Sequence, residues 1–266
     1  HEMVGEIARL GPGVETDSLG QPLREGDRVT YTYFYPCRRC PACTRGTFSV
    51  CPNRINHYRE SAEQWPHLNG GFSQYYYLRP GHFVFRVPDD LPDELVAPAN
   101  CAVAQVLHSL QRGGFGFGQT LVVQGAGGLG LYAIAVAREM GAEQVIAIDG
   151  LPQRLELARQ FGADATVLLA DYPTPEARVE RVRELTGGRG ASAVIELVGL
   201  PQVIPEGLQM VESGGTYLEV GLISAPFSIE LFPARLLRNN TRYVAVIHYE
   251  PIALALALRF LQRNRA

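Results

Sequence analysis

The sequence predicts an α/β protein, with an irregular β-rich first part followed by a doubly wound parallel sheet of six strands. Three observations lead there. From about residue 114 onward, apolar runs of strand length alternate with segments of helical period. A Gly-x-Gly-x-x-Gly turn follows the first of those runs and opens a helix. The first hundred or so residues instead hold short strands broken by frequent Gly and Pro.

At 266 residues the chain has room for one large domain or two ordinary ones. The expected division is 1–113 and 114–266. A hydrophobic share of 46% and a charged share of 19% describe an ordinary globular chain. A net charge of −3 gives no electrostatic footprint for nucleic acid, so a zinc-ribbon nucleic-acid binder is excluded. No apolar run reaches the roughly 18–20 residues of a membrane span, and the most apolar stretch, "ALALALRFL", is short and holds Arg259. The chain begins at His1 and stops at "LQRNRA" inside a predicted helix, so a piece cut at both ends is expected.

In the first part, "GDRVTYTYFY" and "GGFSQYYYLRPGHFVFRVP" predict strands of an irregular, partly barrel-like domain. The strand Leu121–Gln124 then runs into the glycine turn, and Leu131, Ile134, Ala135 and Arg138 follow at helical spacing. A second strand, Gln144–Ile148, ends at Asp149. A helix over Pro152–Phe161 precedes the strand "ATVLL", and a helix over Pro175–Thr186 precedes "SAVIELVG". A helix over Pro201–Met210 leads to "GTYLEVGL", and "RYVAVIH" supplies the sixth strand. Helical crossovers between all of these make the sheet parallel.

Four of the five cysteines, Cys37, Cys40, Cys43 and Cys51, crowd into the loop 37–51 as Cys-x2-Cys-x2-Cys-x7-Cys. That spacing lets one loop wrap a single tetrahedral Zn(II). Arg38, Arg39 and Arg45 would partly offset the net −2 of four thiolates around the ion. Disulfides between cysteines two residues apart close poorly, and an iron–sulfur cluster fits the ligand type but no second cluster motif accompanies it. Four sulfurs leave no position open, so this zinc holds structure and performs no chemistry. Dense free thiols point to a reducing, cytoplasmic setting.

In the turn Gly125-Ala126-Gly127-Gly128-Leu129-Gly130, Gly125 permits the tight bend and Gly127 lets backbone approach a pyrophosphate. Gly130 lets the helix pack close, and the helix N-terminus offers free N–H groups to phosphate. Asp149, 19 residues past the last glycine, can accept hydrogen bonds from both ribose hydroxyls and repel a 2′-phosphate, which favours NAD(H) over NADP(H). The bland alternative is a strand-end cap. Arg154 joins the coenzyme-binding set.

Taken together, "HEMVGEIARLGPGV", "GDRV", the four-cysteine loop, "GGFSQYYYL", "ANCAVA" and "GAGGLG" resemble, in order, the zinc-dependent alcohol dehydrogenases of the medium-chain dehydrogenase/reductase superfamily. The resemblance implies an incomplete GroES-like catalytic domain over 1–113 and a Rossmann domain over 114–266. It also implies a second, catalytic zinc. His1 and Glu2 match the His-Glu of the family's Gly-His-Glu motif and Cys101 matches its later cysteine, so His1 and Cys101 become ligands and Glu2 an alternate or neighbouring one. An N-terminal histidine can also be a frayed end, and Cys101 an inert buried thiol. Backbone at Val198-Gly199 and Gly221-Leu222 is implied to hold the nicotinamide carboxamide. His57, His67, His82, His108 and His248 stand in no motif and are taken as surface or core.

Departures from the pattern are specific. The first zinc cysteine and its proton relay would precede His1, and a C-terminal segment folding back on the catalytic domain is expected to be missing. Arg38 stands where glycine often follows the first loop cysteine, and Ala104-Gln105 where Thr-Gly is common. The implied function is hydride transfer between an alcohol and NAD(H), giving an aldehyde or ketone, in a homodimer or homotetramer. The alternative is a protein that binds structural zinc and NAD(H) without turnover. No nucleic acid or membrane partner is expected, only a small alcohol or carbonyl substrate.

Overall fold

The computed structural model describes residues 2–55, 61–68, 70–221 and 228–265. They fall into two compact units, residues 1–105 with 248–266, and residues 106–247.

The first unit contains an antiparallel sheet of three short strands, β1 (Gly5–Glu6), β2 (Arg28–Tyr31) and β3 (Val84–Arg86). Around it run loops fixed by side chains. The Asp17 carboxylate accepts from the N–H groups of Leu19, Gln21 and Arg86 at 2.8, 2.9 and 3.1 Å. Two short helices, α1 (Pro41–Thr44) and α2 (Asp93–Val96), precede a single π-helical turn, Ala99–Val103, that runs into α3 (Ala104–Gly113).

The second unit holds, among the described residues, six parallel strands: β4 (Thr120–Gln124), β5 (Gln144–Asp149), β6 (Ala165–Leu168), β7 (Ala191–Glu196), β8 (Val211–Glu219) and β9 (Arg242–Ala245). Their order, β6-β5-β4-β7-β8-β9, is that of a doubly wound sheet. Strands covered on both faces must be apolar almost continuously, and all five residues of β4 are buried. Helices α4 (Gly128–Glu139), α5 (Pro152–Gln160), α6 (Pro175–Leu185), α7 (Val203–Met210) and α8 (Pro233–Arg238) lie between the strands. Val122, Ile146, Val167, Val182, Val194, Ile204 and Tyr217 belong to one core there. α6 starts in textually legible fashion: Thr174 Oγ1 accepts from Ala177 N–H at 3.2 Å, with Pro175 in the first turn.

The two compact units part at 105/106 and 247/248, where the sequence predicts one division at 113/114. α3 enters the second unit, where the Gly113 carbonyl accepts from Thr216 Oγ1 at 3.3 Å and Arg242 Nη2 at 2.8 Å. The last residues leave that unit. Helix α9 (Ile252–Arg263) buries Leu254, Leu258, Phe260 and Leu261, and packs against α2 and the π turn of the first unit. A helix apolar on so much of its circumference needs cover on several sides. Residues 248–266 thus belong to the first unit.

Candidate functional site

The four loop cysteines converge. Their sulfurs all lie within 4.8 Å of one another, with Cys40 to Cys51 at 3.8 Å and Cys51 to Cys37 at 3.6 Å. A tetrahedron of sulfurs each ~2.3 Å from a central Zn(II) has edges of about 3.8 Å, so the spacing fits the ion. A disulfide, at about 2.05 Å, is far shorter, and all five cysteines are free. The N–H of Arg39 pulls the Cys37 thiol down to about 6, whereas burial pushes Cys43 up to about 12. A set split this way becomes four thiolates when a cation sits among them.

The loop's scaffold is specific. Pro41 opens α1, which carries Cys43 inward. Arg38 takes a left-handed backbone (φ +58°) of the kind glycine favours, and its guanidinium lies 4.4 Å from the centre of the Phe83 ring. That is a physical reason for glycine's frequency after the first cysteine. At the other end, Glu250 caps the turn Phe48–Val50. Its Oε2 accepts from Phe48 N–H at 2.7 Å, and its Oε1 from Ser49 N–H at 3.3 Å and Ser49 Oγ at 2.5 Å.

Cys101, half-buried in the π turn, stands apart from that quartet. Its neighbour Asn100 is fully buried and stapled on three sides. Asn100 Oδ1 accepts from Met3 N–H at 3.1 Å, its Nδ2 donates to Tyr31 O at 3.0 Å, and its carbonyl accepts from Tyr249 Oη at 2.6 Å. The staple brings the start of the chain to the π turn. Burial, and then the negative charge of Glu2, push the Cys101 thiol up to about 11, so a nearby cation is what would turn it into a ligand at neutral pH. His1 lies outside the described residues. Among the described residues, the loop quartet forms the one group of three or more metal-ligand side chains. His248 is buried, with its Nδ1 2.9 Å from Tyr33 Oη, and His82 is buried too.

In the second unit the glycine turn sits between β4 and α4. Gly125 has φ +92°, open to glycine at no steric cost. A Cβ on Gly130 would run into the Gly125 carbonyl, so only glycine lets α4 come this close. Gly127 and Gly128 face open space, with no atom within 4 Å of an added Cβ. Leu131 N–H is bonded to Gly127 O, which leaves the N–H groups of the first turn to point out of the helix end. That opening beside free donors suits a diphosphate. Leu129 lies in the first turn of α4.

Asp149 ends β5 and is buried. Its Oδ2 accepts from Ala126 N–H at 2.8 Å and its Oδ1 from Leu151 N–H at 2.9 Å, with Arg154 Nη1 3.6 Å away. The strand-end role is therefore present, and each oxygen keeps a second lone pair for a ribose hydroxyl. Val198, Gly199 and Gly221 are gathered by a residue the sequence reading passed over, Glu196, whose carboxylate accepts from all three N–H groups. Leu222 lies outside the described residues. Asn100 and Glu250 were also passed over. Their partners are backbone groups far away in sequence, which no spacing rule reveals.

With this geometry in view, the likenesses to known proteins are informative. Residues 128–263 match the family model of zinc-binding dehydrogenases, and residues 1–89 that of the alcohol dehydrogenase GroES-like domain. The chain is 36% identical over 268 residues to a 5-exo-hydroxycamphor dehydrogenase of Pseudomonas putida, covering 99% of this chain and 73% of that one. It is 33% identical to the L-threonine 3-dehydrogenase of Pyrococcus abyssi, covering 86% of this chain and 60% of that protein. Its fold matches a crystal structure of an alcohol dehydrogenase from Thermotoga maritima with a TM-score of 0.94 and 29% identity, over 100% of this chain and 73% of that one. No helix among the described residues is long and apolar enough to cross a membrane.

Proposed function

The chain belongs to the zinc-dependent medium-chain alcohol dehydrogenase family, and from that premise we propose that it serves hydride transfer between an alcohol and NAD(H), giving an aldehyde or ketone. The observation that carries the reading is the Asn100 staple, which fixes Met3 to the residue next to the half-buried Cys101. A quartet of sulfurs has no free position, so the chemistry falls to this second place, with His1 and Cys101 as ligands and Glu2 beside them. Bound there, zinc supplies a Lewis acid for the substrate oxygen, and nicotinamide gives or accepts the hydride.

The chain's own residues then do the positioning. The Gly125–Gly130 turn and the end of α4 receive the diphosphate, Asp149 the adenosine ribose, and Arg154 its surroundings. Backbone at Val198-Gly199 and Gly221-Leu222 receives the carboxamide. 5-exo-hydroxycamphor and the 3-hydroxyl of threonine, named in two relatives, are secondary alcohols, which places that class first in a substrate screen. We propose a cytoplasmic homodimer or homotetramer, and light scattering on the purified protein tests the assembly.

A second reading is structural zinc and NAD(H) binding without turnover, which the loop quartet and the glycine turn would serve by themselves. Zinc analysis and activity assays on the full-length protein separate the two. Two zincs per chain, and alcohol oxidation abolished by Cys101→Ala with NADH binding retained, support the enzyme. One zinc, no turnover and unchanged NADH binding in that variant support the second reading.

A further inference from the structure

We infer that Glu196 is a positioning residue for the nicotinamide end of the coenzyme, a buried carboxylate that ties the loop after β7 to the loop after β8. The inference rests on the coenzyme reading above. Glu196 closes β7 and is entirely buried. A carboxylate without water requires hydrogen-bond donors, and here three main-chain N–H groups supply them. Its Oε1 accepts from the N–H of Val198 and of Gly199, both at 2.6 Å, and its Oε2 from the N–H of Gly221 at 3.1 Å. Gly221 N–H also faces the Glu196 carbonyl at 3.0 Å.

The loops gathered this way touch each other and the coenzyme turn. A Cβ on Gly199 would sit 2.9 Å from the Gly221 carbonyl oxygen, and one on Gly221 would sit 2.7 Å from Glu196 Oε2. Val198 Cγ2 would lie 3.0 Å from a Cβ on Gly125, the first glycine of the diphosphate turn. One side chain thus ties two loops together, and Val198 in the first of them borders the third segment, the coenzyme turn. They lie at the carboxyl ends of β4, β7 and β8, where the strand order reverses and a doubly wound sheet binds its ligand. An amide cannot replace the carboxylate, because glutamine keeps one acceptor oxygen and turns an NH2 donor toward the remaining N–H groups.

The test compares NADH with ADP-ribose, which lacks nicotinamide, by titration against the intact protein and E196Q. The expected result is NADH binding weakened roughly tenfold or more, ADP-ribose binding changed by less than about twofold, and a lost shift in the fluorescence of bound NADH. An equal weakening of both ligands, or no change in their ratio, overturns the inference while leaving the coenzyme reading intact. Wild-type protein that binds neither ligand takes both down. If E196Q does not fold, hydrogen exchange on the wild type decides. Val198, Gly199 and Gly221 amides should exchange at least about a hundredfold slower than unprotected amides, and exchange of all three at the unprotected rate overturns the clamp.

Discussion

In the second unit, long ladders pair the neighbouring strands, from Ile146 opposite Ala165 across to Glu219 opposite Ala245, with one register shift between β7 and β8. In the first, no described strand exceeds the four residues of β2. Their geometry is therefore specified by different means. The sheet is fixed by backbone ladders between strands buried on both faces, and any apolar residue of suitable size serves. The loops are fixed by single side chains that each hold two or three backbone groups, such as Asp17, Asn100 and Glu250, and by four sulfurs. The lesson is that the sheet should tolerate change broadly, whereas the loops should fail at a few identifiable atoms.

Cys51→Ser tests this most severely. Its fully buried sulfur lies against those of Cys37 and Cys40. Structural zinc contributes ~10–16 kcal/mol in isolated zinc-finger peptides, more than the ~5–15 kcal/mol margin of a typical protein. The variant should lose one zinc per chain and become protease-sensitive within 37–51, while the second unit keeps its NADH affinity. Unchanged zinc content and melting would remove the metal from the account.

A smaller effect is expected at the glycine turn, where two neighbours should behave oppositely. Gly130→Val drives a side chain into the Gly125 carbonyl and should cost about 3 kcal/mol in thermal unfolding. Gly128→Ala enters open space and should leave melting within ~1 kcal/mol of wild type yet weaken NADH in titration. If both variants shift melting alike, Gly128 does not border a cradle.

Asp149→Ala should come next. It leaves the buried Ala126 N–H without its partner, at ~1–3 kcal/mol. NADH affinity should fall far more than NADPH affinity, and equal losses in the two titrations would show that no ribose contact was removed. The smallest change is Thr174→Ala, which deletes the cap of α6 at about 1 kcal/mol. Coenzyme affinity should not move; if it does, the sheet transmits strain farther than a local cap implies.

How much was legible follows the same contrast. The strands of the second unit announce themselves because continuous burial demands continuous apolar runs. "ATVLL" and "SAVIELVG" mark β6 and β7 to within a few residues. In the first unit "YTYFY" reads as strand throughout, but the ladder stops at Tyr31. Tyr33 and Phe34 are buried instead by rings from His248 and Tyr249, more than two hundred residues later. The long run from Gly70 to Pro88 yields only β3. Cysteines and glycines were readable because their spacing is itself the constraint. Asn100, Glu196 and Glu250 were not, since an Asn or Glu in isolation says nothing of the amides it will meet, whether far away for Asn100 and Glu250 or in the next loop for Glu196.

The cap supplied by Glu250 has a temporal side. It stands 202 residues after Phe48, whose N–H it receives. At about 5–20 residues per second of translation, the loop of thiols leaves the ribosome roughly 10–40 s before its carboxylate exists. Nascent chains must carry those amides without that carboxylate through the interval, so the loop is finished well after it is made.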